Sequence, residues 1–497
     1  MKAKLDTQKE ILFGSSDPNI SRLLSQKEKN GELKKIAPRI YTTNLKDNPE
    51  NIVRRNLIDI LNYRYPKAII SHRSAKEMRP TPTGDFFLTN STSRRVTDLP
   101  GIKLNFVKGP KAIASDIPFM GIYISGEYRY MLENMQLSRK TGSESRVLPI
   151  ETVENKLEQI LLTGGEDRLN QYRDELRKAA EELGMQPEFV KINNLISALL
   201  STHEASVLST DSAKALAAGN PFDPKRLELF EILYDALKDR YFIVRNNRNI
   251  EEESFRLFSF FESYFSNYIE GTEFDIAEAK AIVDSGIPIP RRDEDSHDIL
   301  GTFKILSNRS EMMRTPTSPD KLFSILSHRH SILLEGRPHL SPGIFKMKNN
   351  RAGQTEFVDY KLVKGTLSQG FKYYSALTDP FARAIFMMFM ISEVHPFNDG
   401  NGRIARIMMN AELVKAGQSR IIVPTVFRED YLLALRKLTR QKDPSAYINV
   451  MTKLHQFSEN LYGTDFSELK NYLGACNAYE EPSQAKLKII DRSITDL

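Results

Sequence analysis

The stretch His395–Arg406, HPFNDGNGRIAR, decides the fold around it because it separates two apolar segments. Upstream, Phe381–Val394 reads FARAIFMMFMISEV, a long apolar run typical of a buried helix. Downstream, apolar side chains recur at helical spacing until Gly417; they are Ile404, Ile407, Met408, Ala411 and Val414. The sequence therefore predicts two helices, with the motif in the turn between them and at the start of the second helix.

The residue types in this turn are suited to binding phosphate. Gly400, Asn401 and Gly402 can expose successive backbone N–H groups at the positive end of a helix, which forms an anion site. Arg403 and Arg406 are three residues apart on that helix, so both guanidinium groups can point toward one polyphosphate chain. The pattern predicts a nucleotide-phosphate site.

Two further residues add chemistry to the predicted phosphate site. Asp399 supplies a carboxylate, and Mg²⁺ prefers a carboxylate together with phosphate oxygens. His395 has a side chain whose ordinary pKa is near neutral and suits a general base. A capped helix start with two surface arginines and a structural histidine is the alternative, but it does not account for the joint spacing. We expect transfer of part of a nucleotide onto a hydroxyl.

The motif resembles the complete signature of the Fic family, and the resemblance extends over residues 226–455. Fic domains are all-helical enzymes that move AMP from ATP onto a Ser, Thr or Tyr hydroxyl of a protein, which can be the enzyme itself. The resemblance implies that His395 takes the hydroxyl proton and that Asp399 holds Mg²⁺ between phosphates. It implies that Phe397 points into the core and fixes the loop.

The resemblance also implies that different residues of the motif bind different phosphates. The Gly400–Gly402 backbone and Asn401 stabilise charge at the α-phosphate, while Arg403 and Arg406 hold the β- and γ-phosphates. A phosphorylating branch that resembles Doc carries Lys where this chain has Gly402, so Gly402 favours nucleotidyl transfer. Other members transfer UMP or phosphocholine, so the motif does not fix the base.

A second stretch, Ser266-Asn-Tyr-Ile-Glu-Gly271, ends an apolar helical pattern. A carboxylate in a last helical turn opposes the helix dipole and is, by itself, ordinary. The stretch resembles the inhibitory motif of self-inhibited Fic proteins, with Ser266, Glu270 and Gly271 at its defining positions. The resemblance implies that Glu270 pairs with Arg406 and removes the γ-phosphate clamp. In some relatives the same glutamate supports removal of AMP by water, and this alternative stays open.

Three more regions of the C-terminal half carry predictions. Phe345–Val358 has strand-like ends around a turn and lies where Fic proteins carry a β-hairpin flap that aligns the target by main-chain pairing. Tyr431 is a candidate contact for adenine, with a core position as the alternative. His328 and His330 are interpreted as helix-packing residues rather than metal ligands, because the sequence offers no nearby cysteine or ordered acidic partner.

The N-terminal region is basic. Residues 1–110 contain 21 Lys and Arg against 11 Asp and Glu, whereas the whole chain has a net charge of +6. A short helix capped by Asp17 and Pro18 is followed by a hairpin pattern that ends near Tyr41, which is the plan of a winged helix. This organisation indicates contact with double-stranded DNA, and a solubilising basic surface is the alternative.

Residues 5–200 resemble AbiE-type antitoxins and transcriptional regulators, through short motifs such as Tyr65–Ala75 and Gly84–Thr89. The resemblance implies that the helix and wing bind promoter DNA. It assigns five cations to phosphate contact: Arg22, Lys27, Lys34, Lys35 and Arg39. Arg94 and Arg95 either add to this surface or lie in a solvated loop. His72 is interpreted as a buried structural residue.

Length and composition fit a multidomain α+β protein. The predicted parts are a winged helix at 1–50, a mixed α/β domain at 51–205, a linker at 206–225, an all-α Fic domain with a β-hairpin flap at 226–460, and a helical extension at 461–497.

No apolar run is long enough to span a membrane, the N-terminus lacks a signal core, and the single Cys476 fits a reducing interior. We expect a cytoplasmic enzyme that uses ATP and Mg²⁺. A DNA-binding regulator whose Fic domain senses nucleotide is the alternative function, and a fused toxin–antitoxin arrangement would combine the two.

Overall fold

Local sequence signals set where the helices of this chain begin. In the computed structural model, which describes residues 9–90, 92, 95–201, 204–289, 292–353 and 355–492, many helices start at a capping side chain followed by proline. The carboxylate of Asp379 caps the helix that begins at Pro380, and the hydroxyl of Ser318 caps the one that begins at Pro319. The chain divides into an N-terminal unit, Met1–Ala218, and a C-terminal unit, Gly219–Leu497.

The N-terminal unit is mixed α/β. Its first elements are β1 (Ile11–Phe13), α1 (Pro18–Lys29), β2 (Lys34–Ala37), β3 (Ile40–Thr42), α2 (Pro49–Arg55), α3 (Leu57–Arg64), β4 (Ile69–Ile70) and α4 (His72–Glu77). They are followed by β5 (Asp85–Asn90), β6 (Arg95–Leu99), β7 (Ile102–Lys108), β8 (Ile117–Phe119), β9 (Ile122–Ile124), α5 (Glu127–Glu133), α6 (Ile150–Leu183), α7 (Gln186–Leu199) and α8 (Asp211–Ala217).

Two sheets organise this unit. The first has the order β1-β3-β2 and is antiparallel, so the helix α1 is followed by a hairpin as the sequence pattern predicts. The second has the order β6-β7-β5-β4-β9-β8, with parallel pairing between β5 and β7 and between β4 and β9. Ile11 and Ile40 from the first sheet lie in the same apolar cluster as Ile60 and Leu104. The predicted boundary at residue 50 therefore differs from the structure, because one core joins both sides of it.

The predicted linker at 206–225 also differs from the structure. Helix α8 lies inside it, capped by Thr210, and Ala213 is fully buried in an apolar cluster with Leu157 and Ile196 of α6 and α7. The stretch is rich in small and polar residues, a composition typical of a linker, but Ala213 packs in the core that α8 shares with α6 and α7. The division between the two units follows directly after α8, at Ala218.

In its described residues, the C-terminal unit is helical apart from one hairpin. Its elements are α9 (Pro224–Leu237), α10 (Glu252–Ile269), α11 (Ile276–Ser285), α12 (Asp293–Leu306), α13 (Arg309–Met312), α14 (Pro319–Leu333), β10 (Arg351–Ala352), β11 (Thr355–Glu356), α15 (Val363–Ala376), α16 (Pro380–Val394), α17 (Asn401–Lys415), α18 (Arg428–Gln441), α19 (Ser445–Ser458) and α20 (Phe466–Ala475). The two helices predicted on either side of the motif are confirmed as α16 and α17.

Helix α16 is the centre of this unit, and nearly all of its side chains are buried. The predicted helical extension after residue 460 contains one helix, α20, which packs on α10. Phe466 stacks on Phe261 of α10 with ring planes 10° apart, and Tyr479 stacks on Phe265. The end of the chain therefore supports the helix that leads to Glu270. Within the described residues, no helix combines the length and apolar character needed to cross a membrane.

Candidate active site

The turn between α16 and α17 is held by left-handed backbone and by one side-chain amide. His395 ends α16 with a φ of 51°, and Gly400 begins α17 with a φ of 72°. The amide of Asn401 joins the two ends of the turn, because its Oδ1 accepts from the Phe397 N–H at 2.8 Å and its Nδ2 donates to the Phe397 carbonyl at 2.9 Å. Both polar atoms of the Asn401 side chain bind the turn, and its role in stabilising phosphate charge stays a prediction.

His395 is oriented as a base. Its Nδ1 lies 3.1 Å from the Ser392 carbonyl, which can only accept, so Nδ1 carries the proton and Nε2 carries the free lone pair. The imidazole stacks on Phe357, with ring centroids 3.6 Å apart and planes 4° apart. Burial lowers the pKa of His395 to about 4. The ring is therefore neutral at physiological pH, as a general base must be.

Arg406 of α17 is buried against the C-terminal end of α10. Its Nε donates to the Ser266 hydroxyl at 3.0 Å, and its Nη2 donates to the Ser266 carbonyl at 2.9 Å and to Glu270 Oε1 at 2.7 Å. The Arg406 side chain is 5% exposed, whereas that of Glu270 is 33% exposed. The predicted contact between Glu270 and Arg406 is thus present, and it occupies the guanidinium group, which is suited to binding a carboxylate or a phosphate.

Gly402 makes this contact sterically possible. A Cβ atom at position 402 would lie 2.2 Å from Glu270 Oε1, far inside van der Waals contact. Glu270 therefore rests directly against Gly402 in the first turn of α17. The carboxylate occupies the position predicted for phosphate.

Arg403 differs from its prediction. Its Nη1 binds Asp298 Oδ2 at 2.8 Å and donates to Asn267 Oδ1 at 3.2 Å, and its side chain is only 3% exposed. Asp298 also accepts from Arg337 Nη2 at 2.7 Å. Although Arg403 is only three residues from Arg406, it points toward α12 instead of the cleft, because the buried carboxylate of Asp298 binds it there. In this arrangement Arg403 anchors α17 and does not line the cleft.

A cleft of about 730 Å³ adjoins these residues. His395, Gly402 and Arg406 line it, together with α18 and the β10–β11 hairpin. Tyr431 of α18 also lines it, but its hydroxyl interacts with Arg406 and reaches Met388 Sδ at 3.7 Å. Tyr431 thus lies in the cleft beside Arg406, and its contact with adenine stays a prediction.

Two aromatic contacts that sequence reasoning missed hold the turn. His330 of α14 stacks on Phe397 with centroids 3.8 Å apart, donates from Nε2 to the Asp399 carbonyl at 3.0 Å, and accepts at Nδ1 from the Gly343 N–H. Phe357, which stacks on His395, follows directly after β11. Phe357 lies at the end of the predicted hairpin, so its place in the sequence indicates a position near the motif. Nothing in the sequence near His330 indicates its contact with the motif.

Lys346 is a third residue that sequence reasoning missed. It is 3% exposed, its N–H donates to the Pro396 carbonyl at 2.8 Å, and its Nζ donates to Asn350 Oδ1 at 2.7 Å. Asn350 in turn donates to the Phe397 carbonyl. Burial lowers the pKa of Lys346 to about 8. The segment before the hairpin therefore fixes the first half of the motif.

The fit of Asp399 to a magnesium ion follows from its donor set. Its carboxylate is exposed at the turn, and Oδ1 accepts from the Gly400 N–H at 2.7 Å. Among the described residues, no group of three or more His, Cys, Asp and Glu side chains is arranged to hold a metal ion. Mg²⁺ is commonly held by one or two carboxylates, water and substrate phosphates. Asp399 alone therefore fits an ion that arrives with a nucleotide.

In the N-terminal unit, the five predicted DNA contacts lie on α1 and the β2–β3 hairpin. Arg22, Lys34, Lys35 and Arg39 are exposed, while Lys27 is half-buried and pairs with Glu32. Arg95 is exposed and its guanidinium lies over the rings of Tyr65 and Phe106, whereas Arg94 falls outside the described residues. His72 is buried, as interpreted from the sequence, with its Nε2 3.2 Å from Gln136.

Comparison with known proteins first defines a class. Residues 323–413, which include α16 and most of α17, match the Fic/DOC family. The chain therefore carries a Fic domain, as the motif resemblance predicts.

Several known proteins are similar to this chain. It is 24% identical over 262 residues to a protein named protein adenylyltransferase Fic from Nematostella vectensis, and the aligned residues make up 49% of this chain and 59% of that protein. It is 25% identical over 177 residues to protein adenylyltransferase fic-1 from Caenorhabditis elegans, which covers 35% of each. The chain thus spans between about a third and three fifths of the length of these relatives. A solved fragment of Fic-1 from C. elegans aligns over 66% of this chain and 94% of the fragment, with 16% identity and a TM-score of 0.36.

Proposed function

We propose that this chain is a protein adenylyltransferase, which moves AMP from ATP onto a Ser, Thr or Tyr hydroxyl of a protein. The observation that carries the proposal is the convergence of three groups on one cleft: the neutral His395, the start of α17 at Gly402, and the Arg406 guanidinium. These groups supply a base, an anion site and a cation for a polyphosphate. The relatives named protein adenylyltransferases agree with it.

The reaction would proceed as an in-line displacement at the α-phosphorus. The target hydroxyl gives its proton to His395 Nε2 while its oxygen bonds to phosphorus, and the bond to the pyrophosphate oxygen breaks. The backbone N–H groups at the start of α17, including that of Gly402, face the growing negative charge. Arg406 holds the departing pyrophosphate. Asp399 would hold Mg²⁺, which neutralises phosphate charge when bound.

Self-inhibition is part of the proposal. Glu270 occupies the Arg406 fork and covers Gly402, so ATP must displace a carboxylate to place its terminal phosphates. Two like charges cannot share that site. Because Glu270 is one third exposed at the end of α10, it can swing outward without unfolding the helix. We therefore expect low activity in the native chain and higher activity once Glu270 is removed.

The β10–β11 hairpin would align the target. Its position is set by Arg226, whose Nη2 donates to the Glu356 carbonyl at 2.6 Å, and by Arg440, whose Nη2 donates to Thr355 Oγ1 at 3.1 Å. Both strands are two residues long, and Arg351, Ala352 and Glu356 are exposed, so an extended segment of a partner could pair with the hairpin.

The test is incubation of the Glu270→Gly protein with a cell lysate, Mg²⁺ and ATP labelled at the α-phosphate. Label on a protein that disappears with Glu270→Gly/His395→Ala supports adenylyl transfer. Label from γ-labelled ATP would contradict it and indicate phosphoryl transfer. Label from UTP in preference to ATP would keep the reaction and change the nucleotide.

A second function, nucleic-acid binding by the N-terminal unit, is favoured by one observation. A cleft of about 550 Å³ lies beside the β2–β3 hairpin, and the charged side chains that line it are all cationic: Arg64, Lys67, Arg95 and Lys111. Arg64 donates to the Pro38 carbonyl of the hairpin turn at 3.3 Å, so the cleft continues the exposed cations of α1 and the hairpin. Such a surface suits the phosphates of double-stranded DNA.

This second function would be tested by titrating the full chain with a DNA duplex at several salt concentrations. We expect affinity to fall steeply with salt and to weaken in Lys34→Ala/Lys35→Ala, but to persist in His395→Ala. Lys178→Ala, which removes an exposed lysine of α6, is the matched control. Binding that ignores both salt and the Lys34/Lys35 changes would contradict the assignment.

A further inference from the structure

A second cleft in the C-terminal unit lies beside the base of the β10–β11 hairpin. Its volume is about 640 Å³, and it is lined by parts of α14, the segment 343–346 and the start of α15. Phe323 and Phe345 form part of its wall, with ring centroids 5.8 Å apart and planes 89° apart. Phe345 also packs on Phe397 of the motif, at a centroid distance of 5.2 Å. This second cleft therefore adjoins the motif, but among the described residues it shares no lining residue with the cleft that contains His395.

The charged side chains among the described residues that line this second cleft are all lysines. They are Lys346, Lys361 and Lys364, and we refer to the cleft as the lysine cleft. Lys361 and Lys364 are exposed. Asp359 precedes them, but its carboxylate accepts from the Lys361 N–H at 2.9 Å and from Asn349 Nδ2 at 2.8 Å, which closes the base of the hairpin. A carboxylate that enters the lysine cleft from a partner would therefore meet cations.

Lys346 adds a buried charge to the wall of the lysine cleft. Its Nζ donates to Asn350 Oδ1 at 2.7 Å and to the Val394 carbonyl at 3.4 Å. Both acceptors are neutral, so neither bond cancels the charge of the ammonium group. Burial lowers the pKa of Lys346 to about 8, and the negative charge of Asp359 opposes this by favouring the charged form. Together with the two exposed lysines, this side chain gives the lysine cleft a positive potential.

The rim of the lysine cleft is apolar. Ile344 is 55% exposed and Tyr360 is 38% exposed, and both line the cleft. Met347, which follows on the same segment as Ile344, is 79% exposed. Single exposed apolar side chains are ordinary, but a group of them around a cationic cleft is typical of a surface that binds another protein. The combination fits a partner that offers both carboxylates and apolar side chains.

We infer that the lysine cleft binds an acidic, apolar segment of the target protein, next to the hydroxyl that receives AMP. The inference rests on the proposed function, because it takes the target-aligning role of the hairpin from that proposal. Asn350 connects the two surfaces, since it bonds to Lys346 on one side and donates to the Phe397 carbonyl at 2.9 Å on the other. A target strand paired with the hairpin continues past its base into the lysine cleft, where Lys361 and Lys364 bind an Asp or Glu side chain. These two lysines determine which target is chosen and take no part in the chemistry.

The test uses a peptide library with a central Ser, Thr or Tyr and mixed residues at the flanking positions. The Glu270→Gly protein and its Lys361→Glu/Lys364→Glu form are each incubated with the library, Mg²⁺ and α-labelled ATP, and the labelled peptides are sequenced. For the Glu270→Gly protein we expect Asp or Glu to be preferred over Lys or Arg by about tenfold at one flanking position, as for gain of an exposed ion pair against like-charge repulsion. In the charge-reversed protein the preference should change to Lys or Arg, which a merely structural role of the two lysines would not produce.

Two control variants accompany the charge reversal. Lys361→Arg/Lys364→Arg retains both charges and should keep the acidic preference. Lys372→Glu/Lys415→Glu makes the same charge change at exposed positions of α15 and α17 that do not line the lysine cleft, and it should also keep that preference. Thermal melts and calorimetry with ATP establish that each variant is folded and that its nucleotide site is intact.

The outcomes separate this inference from the proposed function. A library labelled without acidic preference, or a preference that is unchanged in the charge-reversed protein, would overturn the inference. Label on lysate proteins but on no library peptide would also overturn it, because the lysine cleft is inferred to bind a segment rather than a folded surface. Absence of label from both lysate proteins and peptides would overturn the proposed function itself.

Discussion

Arg403 and Arg406 are three residues apart on one helix, yet they lie in opposite kinds of environment. Arg403 binds Asp298, whose side chain is 3% exposed, in a buried network that includes Arg337. Arg406 binds Glu270, whose side chain is 33% exposed and adjoins the cleft. The first carboxylate has no path to solvent without disrupting α12, while the second ends a helix and can leave.

The difference shows what would distinguish a structural ion pair from the regulatory pair that we propose. Both pairs have nearly the same length, 2.8 and 2.7 Å, so distance does not separate them. What separates them is the fate of the carboxylate when it is displaced. A buried partner leaves an uncompensated charge, whereas a partly exposed one gains water. The arginine next to a movable carboxylate is the one that can exchange partners with a nucleotide.

The largest effect should come from breaking the buried pair. Asp298→Ala leaves Arg403 and Arg337 without their shared carboxylate, so we expect the free energy of unfolding to fall by about 3–5 kcal/mol. Glu270→Ala should lower it much less, by about 1 kcal/mol, because Arg406 keeps its two hydrogen bonds to Ser266 and the lost carboxylate is partly exposed. Denaturant unfolding of both variants measures the difference. Equal losses would mean that the two pairs are alike and that the comparison is wrong.

The next effect should come from the exchangeable arginine. In the Glu270→Gly background, Arg406→Ala should reduce AMP transfer by about 100- to 1,000-fold, as for loss of a charge-stabilising donor. The reason is that the phosphate end of the cleft loses its buried fork. Transfer is measured with α-labelled ATP under single-turnover conditions. Lys415→Ala, at the other end of the same helix, is the control, and Arg406→Ala with full activity would assign the phosphates elsewhere.

A smaller effect should appear at Gly402, the glycine that precedes the two arginines. In Gly402→Ala the new Cβ would clash with Glu270 Oε1 and move the carboxylate outward, but it would also obstruct the phosphates, so we expect nucleotide affinity to change by less than about 1 kcal/mol. The same change in the Glu270→Gly background should lower affinity by about 1 kcal/mol, because the Cβ obstructs the phosphates and no carboxylate remains to displace. Binding of ATP to the four proteins of this cycle tests the coupling. Additive effects would show that Gly402 and Glu270 do not oppose each other.

Gly474→Ala is the matched control for this cycle. Gly474 lies in α20, and a Cβ there would meet no atom within 4 Å. The substitution should therefore leave nucleotide affinity unchanged in both backgrounds.

The sequence predicts the parts of this site that are contiguous in the chain. The motif between α16 and α17, the position of Gly400 at the helix start, and the contact of Glu270 with Arg406 all follow from local spacing or from the family motif. It does not predict Asp298 as the partner of Arg403, because an aspartate in the first half of a helix has the same local appearance whether it faces solvent or a distant arginine.

The same limit applies to the rest of the molecule. His330 and Phe357 reach the motif from elements 65 and 38 residues upstream of His395, and no periodicity encodes which ring will stack on which. The small residues of α8 resembled a linker because helix propensity is decided there by packing on α6 and α7. Long-range contacts, rather than local chemistry, are what the sequence leaves open.

The smallest effect of removing Glu270 should be on the titration of His395. This effect distinguishes the proposed base, His395, from the proposed phosphate-binding residue, Arg406. Burial is the main cause of its low pKa, and Glu270 is a lesser influence that raises it. Since the neutral ring is the active form, kcat/KM should stay level as pH falls from about 7 to about 5 and decline only near the pKa of about 4. Glu270→Gly should move this acid limb slightly lower. Phe357→Ala, which uncovers the ring, should move it upward toward the ordinary histidine value of about 6.5. The check is a pH profile of AMP transfer for the Glu270→Gly protein with and without Phe357→Ala, and an acid limb already near 6.5 in the parent would mean that the ring is solvated when it acts.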